Sequence, residues 1–418
     1  MSLLIRNWIG ALSGGGNLNF RRGYTDTEIQ SLINSGYIPV ASPADLYAIR
    51  TVYSGVSKRE FAAGTKWATG LINTSGGSGK YIQVSDIDLY SATRTGGVYW
   101  NSGQGWNPFD TGGTFIYDGG GYIINGMYIN RAEDRIGFIK YMKGGVVRNA
   151  AFLNIEVNGA GSYIGGIAGT YATGVPTIQR CIVTGFIRHS TSAKYYTGAI
   201  FGGRNATSDN AIIEDCFTNV DIYSGTRRGG GIIGHMANAE SSVSRCISLG
   251  KVRSASPYGS IVGLCDGATA SPIISDCYFS PESSNVDYSI GSDTHNDGQA
   301  SSDGARSTNE LISGVKSGWL FNNFSTDHWY FRSNYFPILK IFGYLPVFIP
   351  GVRNVSGKVN IDDNIELTWD APLSGDVLGY DVYISVNNIF TKLNAELITT
   401  ESFVHTPTAP GQYKYYVN

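Results

Sequence analysis

Two marker segments recur through the middle of the chain with nearly the same step. The first reads Gly165-Gly-Ile-Ala-Gly169, Gly198-Ala-Ile-Phe-Gly202, Gly230-Gly-Ile-Ile-Gly234 and Gly259-Ser-Ile-Val-Gly263, at intervals of 33, 32 and 29 residues. The second, offset from it, reads Ile178-Gln-Arg-Cys181, Ile213-Glu-Asp-Cys216, Val243-Ser-Arg-Cys246 and Ile274-Ser-Asp-Cys277, at intervals of 35, 30 and 31. A looser copy precedes them, with Gly137-Phe-Ile-Lys140 and Val147-Arg-Asn-Ala150. Two independent markers holding one period demand a repeat architecture. The runs between them, such as Cys181-Ile-Val-Thr-Gly-Phe-Ile187, are too short and too rich in glycine for helices. A unit of about 30 residues cannot bury an apolar face alone, so it must stack on its neighbours. The fold class expected is therefore all-β, a β-helix-like repeat solenoid. Its strands would pair in parallel about 4.8 Å apart, and equivalent residues would form ladders. Cys181, Cys216, Cys246 and Cys277 then occupy one interior column with a structural role, and the glycines serve the turns.

Composition narrows the class further. Glycine supplies 55 of 418 residues, aromatics 12%, and charged residues only 15%, against about 25% in an average chain. A disordered chain would be charge-rich and aromatic-poor. A net charge of -2 offers no electrostatic footprint for nucleic acid or anionic lipid. No apolar stretch approaches the ~18 residues of a membrane-spanning helix, so no membrane insertion is expected. The opening residues lack the apolar core of a secretory leader, and the five cysteines are odd in number. The expectation is reduced thiols in a protein made in the cytoplasm.

The marker pattern, Gly-Gly-Ile-x-Gly followed by Ile-x-x-Cys and Thr-Gly-x-Ile, resembles the GLUG repeats of bacterial and phage surface adhesins. The approach to the array is similar too: Ala41-Ser-Pro-Ala-Asp-Leu-Tyr-Ala-Ile-Arg50, then Tyr81-Ile-Gln-Val-Ser-Asp-Ile-Asp-Leu89, Gly105-Trp-Asn-Pro-Phe109, Phe115-Ile-Tyr-Asp-Gly119 and Ile123-Ile-Asn-Gly-Met-Tyr-Ile129. Leu311 through Trp319, Trp329 and Tyr335-Phe-Pro-Ile-Leu339 resemble the end of such an array. The resemblance implies a solenoid used for attachment. Ala199 and Ser260 depart from it by replacing the second glycine.

Three parts follow. Residues 1–37 form an N-terminal cap or anchor segment, with a helix start at Thr25-Asp-Thr-Glu28 and a second at Ser42-Pro-Ala-Asp45 just beyond it. Residues 38–345 are the GLUG-like solenoid. Residues 351–418 alternate like half-buried strands, as in Ile365-Glu-Leu-Thr-Trp-Asp370 and Gly379-Tyr-Asp-Val-Tyr383. That last part resembles a fibronectin type III module, an immunoglobulin-like β-sandwich. Trp369 falls at its core position and Tyr413 at its tyrosine corner, while its last strand is missing.

Catalytic constellations are sparse. Asp86 and Asp88 would share one face of a strand, and Glu214 and Asp215 opposite faces. Neither pair is placed across a groove as glycosidase carboxylates must be. The five histidines are scattered, and no metal-ligand spacing occurs. No catalytic residue, metal or cofactor is expected. Aromatics in loops are better candidates for ligand contact, because a flat ring stacks on a sugar face at small entropic cost. Tyr99, Trp100 and Trp106 lie together in one Gly-rich excursion, and Tyr195 and Tyr196 in a repeat turn. The resemblance also gives Trp106 a place in the recurring core motif. The function expected is a non-enzymatic virion fibre or tail-associated adhesin of a bacteriophage, binding host-surface glycans through multivalent weak contacts. Its partners would be a host glycan or protein receptor, other virion proteins and further copies of itself. The alternatives are a phage polysaccharide depolymerase, a bacterial cell-surface adhesin, or a purely structural virion component.

Overall fold

The repeat period becomes the turn of an all-β solenoid in the computed structural model. The structure describes residues 22–343 except 52–58, 69–75, 173, 191–195, 205–208, 225–227, 237–239, 255–256, 267–271, 294–298, 302–303, 315, 317–319 and 333–334. It also describes residues 353–417 except 361–363, 371–379, 381, 387–388, 397 and 408–413.

One turn shows how the sequence makes the coil. Tyr163–Gly165, Ala168–Tyr171, Thr177–Gln179 and Ile182–His189 are four successive strands, each joining a different sheet. The next turn lays Tyr196–Gly198, Phe201–Arg204, Ile212–Glu214 and Phe217–Ser224 on them in parallel. The glycine markers coincide in register, with Gly165 opposite Gly198 and Gly230 opposite Gly259. So do the apolar markers, with Ile178 opposite Ile213 and Val243 opposite Ile274. Gly166 and Gly231 sit where successive turns pinch together. A Cβ there would collide with the carbonyl oxygens of Ala199 and Ser260 on the turn above.

A second corner has a different device. Asn149, Arg180, Asp215, Arg245 and Asp276 all adopt φ between 51 and 53°. That conformation costs an ordinary L-residue roughly 1–2 kcal/mol. Side chains stacked along the corner offset it. Arg180 Nε donates to Asn149 Oδ1 at 2.9 Å, and Arg245 donates to both oxygens of Asp215 at 3.0 and 2.9 Å. The residue after each of the last four is a cysteine. Cys181, Cys216, Cys246 and Cys277 line the interior as free thiols, and Cys265 is also buried and free. Each of the four donates to the carbonyl two residues back, of Gln179, Glu214, Ser244 and Ser275. Burial pushes the Cys181 and Cys246 thiols well above their ordinary range.

The two N-terminal helices have separate jobs. The first, α1 (Asp26–Asn34), starts at a capping box: Thr25 Oγ1 accepts from Glu28 N–H at 3.0 Å, and Glu28 Oε2 accepts from Thr25 N–H at 2.6 Å. Its Ile29 and Ile33 pack on Ile82 and Ile116, the outer face of the first strands. The second, α2 (Pro43–Ala48), is capped by Ser42. Leu46, Ala48 and Ile49 belong to the main interior cluster, so this segment plugs the end of the core.

The closing segment does not simply end the array. Leu311, Phe321, Phe324, Trp329, Phe336 and Phe342 lie over the outward column Ile123, Ala151, Ile182, Phe217, Ile247 and Tyr278. It returns to the first turns, where Gly23 N–H donates to the Ile341 carbonyl at 2.7 Å.

Beyond it, six described strands form two antiparallel three-stranded sheets. One contains Arg353–Val359, Ile365–Asp370 and Ser402–His405; the other contains Val382–Val386, Ile389–Lys392 and Lys414–Val417. Trp369 packs edge-on against Tyr380, with Leu367 and Val382 buried beside them. Tyr413 lies outside the described residues.

Candidate binding surface

The excursion between the strands Ile87–Asp88 and Phe109–Asp110 carries three of the aromatics singled out in the sequence, and the structure separates them. Trp106 is wholly buried. Its indole Nε1 donates to the Phe138 carbonyl at 2.9 Å, and its ring stacks on Phe138 with centroids 5.4 Å apart. The expected ligand contact at Trp106 is therefore corrected: with no face open, it is a core residue. Tyr99 and Trp100 are half-buried. Tyr99 stacks on Tyr47, centroids 4.1 Å apart and planes 10° off parallel. Trp100 stacks on Tyr128 at 5.8 Å and 26°. Each ring thus has one face held by the scaffold, and Val98 beside them is 81% exposed.

The support beneath the rings is polar and specific. A tight turn over Asn101–Gly103 is pinned by Asn101 Nδ2, which donates to the Gly105 carbonyl at 2.7 Å. Arg94 spans Tyr90 and Tyr128, its guanidinium carbon 4.1 and 5.2 Å from their ring centres, and pairs with Glu156 at 2.9 Å. Arg50 lies over the Tyr47 ring at 3.8 Å and 4.8 Å from the centre of Trp106. Burial pushes the hydroxyls of Tyr99 and Tyr128 up, so both remain protonated donors at neutral pH. The sequence reading missed Arg94 within the excursion, and Tyr47, Arg50 and Tyr128, which come from two other segments of the chain.

The second set fares differently. Tyr195 lies outside the described residues. Tyr196 is sandwiched, with Tyr163 on one face at 5.4 Å and His235 on the other at 4.1 Å. Its hydroxyl accepts from Arg228 Nη1 at 2.5 Å. Both ring faces are occupied, so Tyr196 has no platform to offer a sugar. The column around it continues through His235 Nε2 to Asp266 Oδ1 at 2.5 Å, and Arg204 Nη2 holds the same carboxylate at 2.8 Å. Two tyrosines, two arginines, a histidine and an aspartate from successive turns build this cluster, and the mixture of residue types leaves no repeat signal.

The carboxylate pairs are engaged in scaffolding. Asp86 binds Arg22 through both oxygens and accepts from Ile123 N–H at 2.9 Å. Asp88 accepts from Tyr90 N–H at 3.0 Å and from Asn125 Nδ2 at 3.2 Å. Glu214 and Asp215 both pair with Arg245. Among the described residues no group of three or more His, Cys, Asp or Glu side chains is arranged to hold a metal ion. No described helix is long and apolar enough to cross a membrane.

The fold and surface define a class, an all-β solenoid with a pre-stacked aromatic excursion on its flank. No family model matches the chain, and no curated protein sequence matches it. Among solved structures it is similar to a Bacteroides ovatus protein proposed to be an immunoglobulin A1 protease, at 15% identity and a TM-score of 0.43. That match covers 73% of this chain and 93% of the other.

Proposed function

We propose that this chain is a GLUG-type adhesin that binds surface glycans through the excursion carrying Tyr99 and Trp100, in several copies on a virion or cell surface. The observation that carries the reading is the pairing of Tyr99 on Tyr47 and Trp100 on Tyr128. Two neighbouring rings, each stiffened from one side, are preorganised for CH–π contact and lose little entropy on binding. A repeat solenoid suits this task, because its continuous core supports a loop without itself contributing to the contact. In the same reading the C-terminal sheets, with Trp369 against Tyr380, belong to a fibronectin type III-like spacer.

The test is binding of the full chain to an oligosaccharide array, with Tyr99→Ala and Trp100→Ala beside it. Each substitution should weaken binding about tenfold or more while leaving the thermal midpoint within a few degrees. Binding that survives both substitutions would refute the assignment. Release of reducing ends from the bound polysaccharide would instead favour a depolymerase.

A further inference from the structure

We infer that an acidic linear glycan lies along the solenoid axis, its carboxylates received by Arg188 and Arg253 on the open part of one sheet. This rests on the glycan-binding reading above and adds the charge and direction of the ligand to it. The strands Tyr128–Arg131, Ala151–Gly159, Ile182–His189, Phe217–Ser224 and Val252–Ser254 stack in parallel, one per turn. Ile129, Val157, Ile187, Ile222 and Val252 belong to the core, so by strand alternation the residues beside them face outward. The closing segment covers the first part of this sheet, over Ala151, Ile182 and Phe217. In the second part Asn130, Arg188 and Arg253 are exposed.

Two outward ladders result. One runs Asn130, Asn158, Arg188, Tyr223, Arg253, and the other Tyr128, Glu156, Phe186, Asp221. Trp100 stacks on Tyr128, so the ladders begin at the proposed platform. Arg188 lies 5.8 Å from the centre of the Phe186 ring, and Arg253 5.5 Å from that of Tyr223. These ring contacts steady each guanidinium without neutralising it. Arg94 neutralises Glu156 at 2.9 Å. Lys251, on the turn after Asp221, is exposed and donates its N–H to Asp221 Oδ1 at 3.0 Å. Among the described residues Arg188 and Arg253 pair with no carboxylate. The uncompensated charge on this face is therefore positive. The two arginines stand two rungs apart, about 10 Å, close to the length of an extended disaccharide. A glycan with a carboxylate on every second sugar matches both, and the four rungs from Arg253 to Tyr128, about 19 Å, carry it to Trp100. A net charge of -2 gives the whole chain no field for nucleic acid, which favours a glycan among polyanions.

The experiment titrates the full chain with a hyaluronan octamer, which has a carboxylate on every second sugar, and with its carboxyl-reduced form. Wild type should bind the acid about fivefold to twentyfold tighter, as two exposed charge pairs at about two- to fivefold each would give. Salt at 0.5 M should remove most of that preference (a Debye length of about 4 Å). Arg188→Gln and Arg253→Gln should each remove part of it and the double variant all of it. Both side chains are exposed, so the variants should fold as wild type does, which circular dichroism checks. Trp100→Ala should weaken the acid and the reduced form alike. Equal affinity of wild type for the two forms, or an undiminished preference in the double variant, would overturn the role of these arginines. Tighter binding of a single-stranded DNA oligomer than of hyaluronan would also overturn it, by assigning the face to nucleic acid. If the reduced form binds as well as the acid and Trp100→Ala abolishes both, glycan attachment stands and the anionic track falls. If wild type binds neither form nor any sugar on the array, both proposals fall.

Discussion

The indole Nε1 of Trp329 donates to Asp215 Oδ1 at 2.8 Å, in a buried contact that joins residues 114 apart in the chain. Asp215 stands at the left-handed corner of its turn, and Trp329 belongs to the strap that folds back over the outer sheet. Arg245 donates to the same carboxylate from the next turn, and the bonds it donates to Asp215 and Glu214 raise its pKa above the ordinary value. One carboxylate therefore fastens strap, corner and neighbouring turn together.

Asp215→Asn separates these roles, because Asn tolerates the left-handed conformation and can still accept from Trp329. It removes the charge that faces Arg245, and the expected loss is about 2–3 kcal/mol of unfolding free energy. Trp329→Phe removes the donor but leaves the ion pair, for about 1–2 kcal/mol. Urea titration of the single and double variants gives the coupling between them. Strictly additive effects would mean that the Trp329 hydrogen bond gains nothing from the charge of Asp215.

The solenoid was legible because its signal is local and repeated. Gly165, Gly198, Gly230 and Gly259 are conspicuous in the sequence for the reason that makes them partners in register. The strap was not legible as a strap. Its Phe and Trp residues read as an apolar closing segment, and nothing local says that they return over Ile182 and Phe217. The candidate surface fell between these cases. Tyr99 and Trp100 advertise themselves, but whether a ring face is open depends on Tyr47, Phe138, Tyr163 and His235, all distant in the chain. For the same reason Tyr196 read as a loop aromatic like Tyr99, although Tyr163 and His235 cover it, and only Trp106 carried a sign of its burial, its place in the recurring core motif. The left-handed corner left a fainter trace, because Asn149, Asp215 and Asp276 suit that conformation while Arg180 and Arg245 do not advertise it.

The cysteine column predicts slow chemistry. With all five cysteines buried and free, a thiol reagent should label native protein slowly and react with all five in denaturant. Cys216 is wholly buried, so Cys216→Val should be mild, while Cys216→Asp introduces an unpaired buried charge and should unfold the middle turns. Rapid labelling of Cys181, Cys216, Cys246 and Cys277 in the folded protein would rule out the packed column.

Acid should weaken the solenoid through His235. Tyr196 covers one ring face, Nε2 meets Asp266, Arg204 shares that carboxylate, and Arg228 stands behind the Tyr196 hydroxyl. Burial lowers the His235 pKa below 6.5, more than the Asp266 hydrogen bond and charge raise it, and burial lowers His189 likewise. A histidine with a depressed folded value binds its proton more readily when unfolded. Its stabilising effect is thus intact above about pH 6.5 and is lost as pH falls through the folded value. Burial alone would raise Asp266, but its His235 and Arg204 partners hold it below the usual range. Its contribution is therefore lost only in more acid solution, below about pH 4, a separate window. Urea midpoints at pH 8, 6.5 and 5 should show a drop over the last interval that His235→Gln reduces. An identical drop in that variant would assign the acid sensitivity elsewhere.

Trp100 and Trp106 lie six residues apart and should respond to the same substitution in opposite ways. Trp106→Ala removes a fully buried indole, the stack on Phe138, the bond to its carbonyl and the ring contact with Arg50. A loss of about 3–5 kcal/mol is expected, as for large aromatic truncations in packed cores. Trp100→Ala removes a half-buried ring stacked on Tyr128 and should cost about 1 kcal/mol or less in stability. Its effect belongs to ligand affinity instead. Measuring urea midpoint and oligosaccharide affinity on the two variants side by side separates scaffold from surface. A stability loss at Trp100 as large as that at Trp106 would place both tryptophans in the core and leave Tyr99 as the single candidate ring of the excursion.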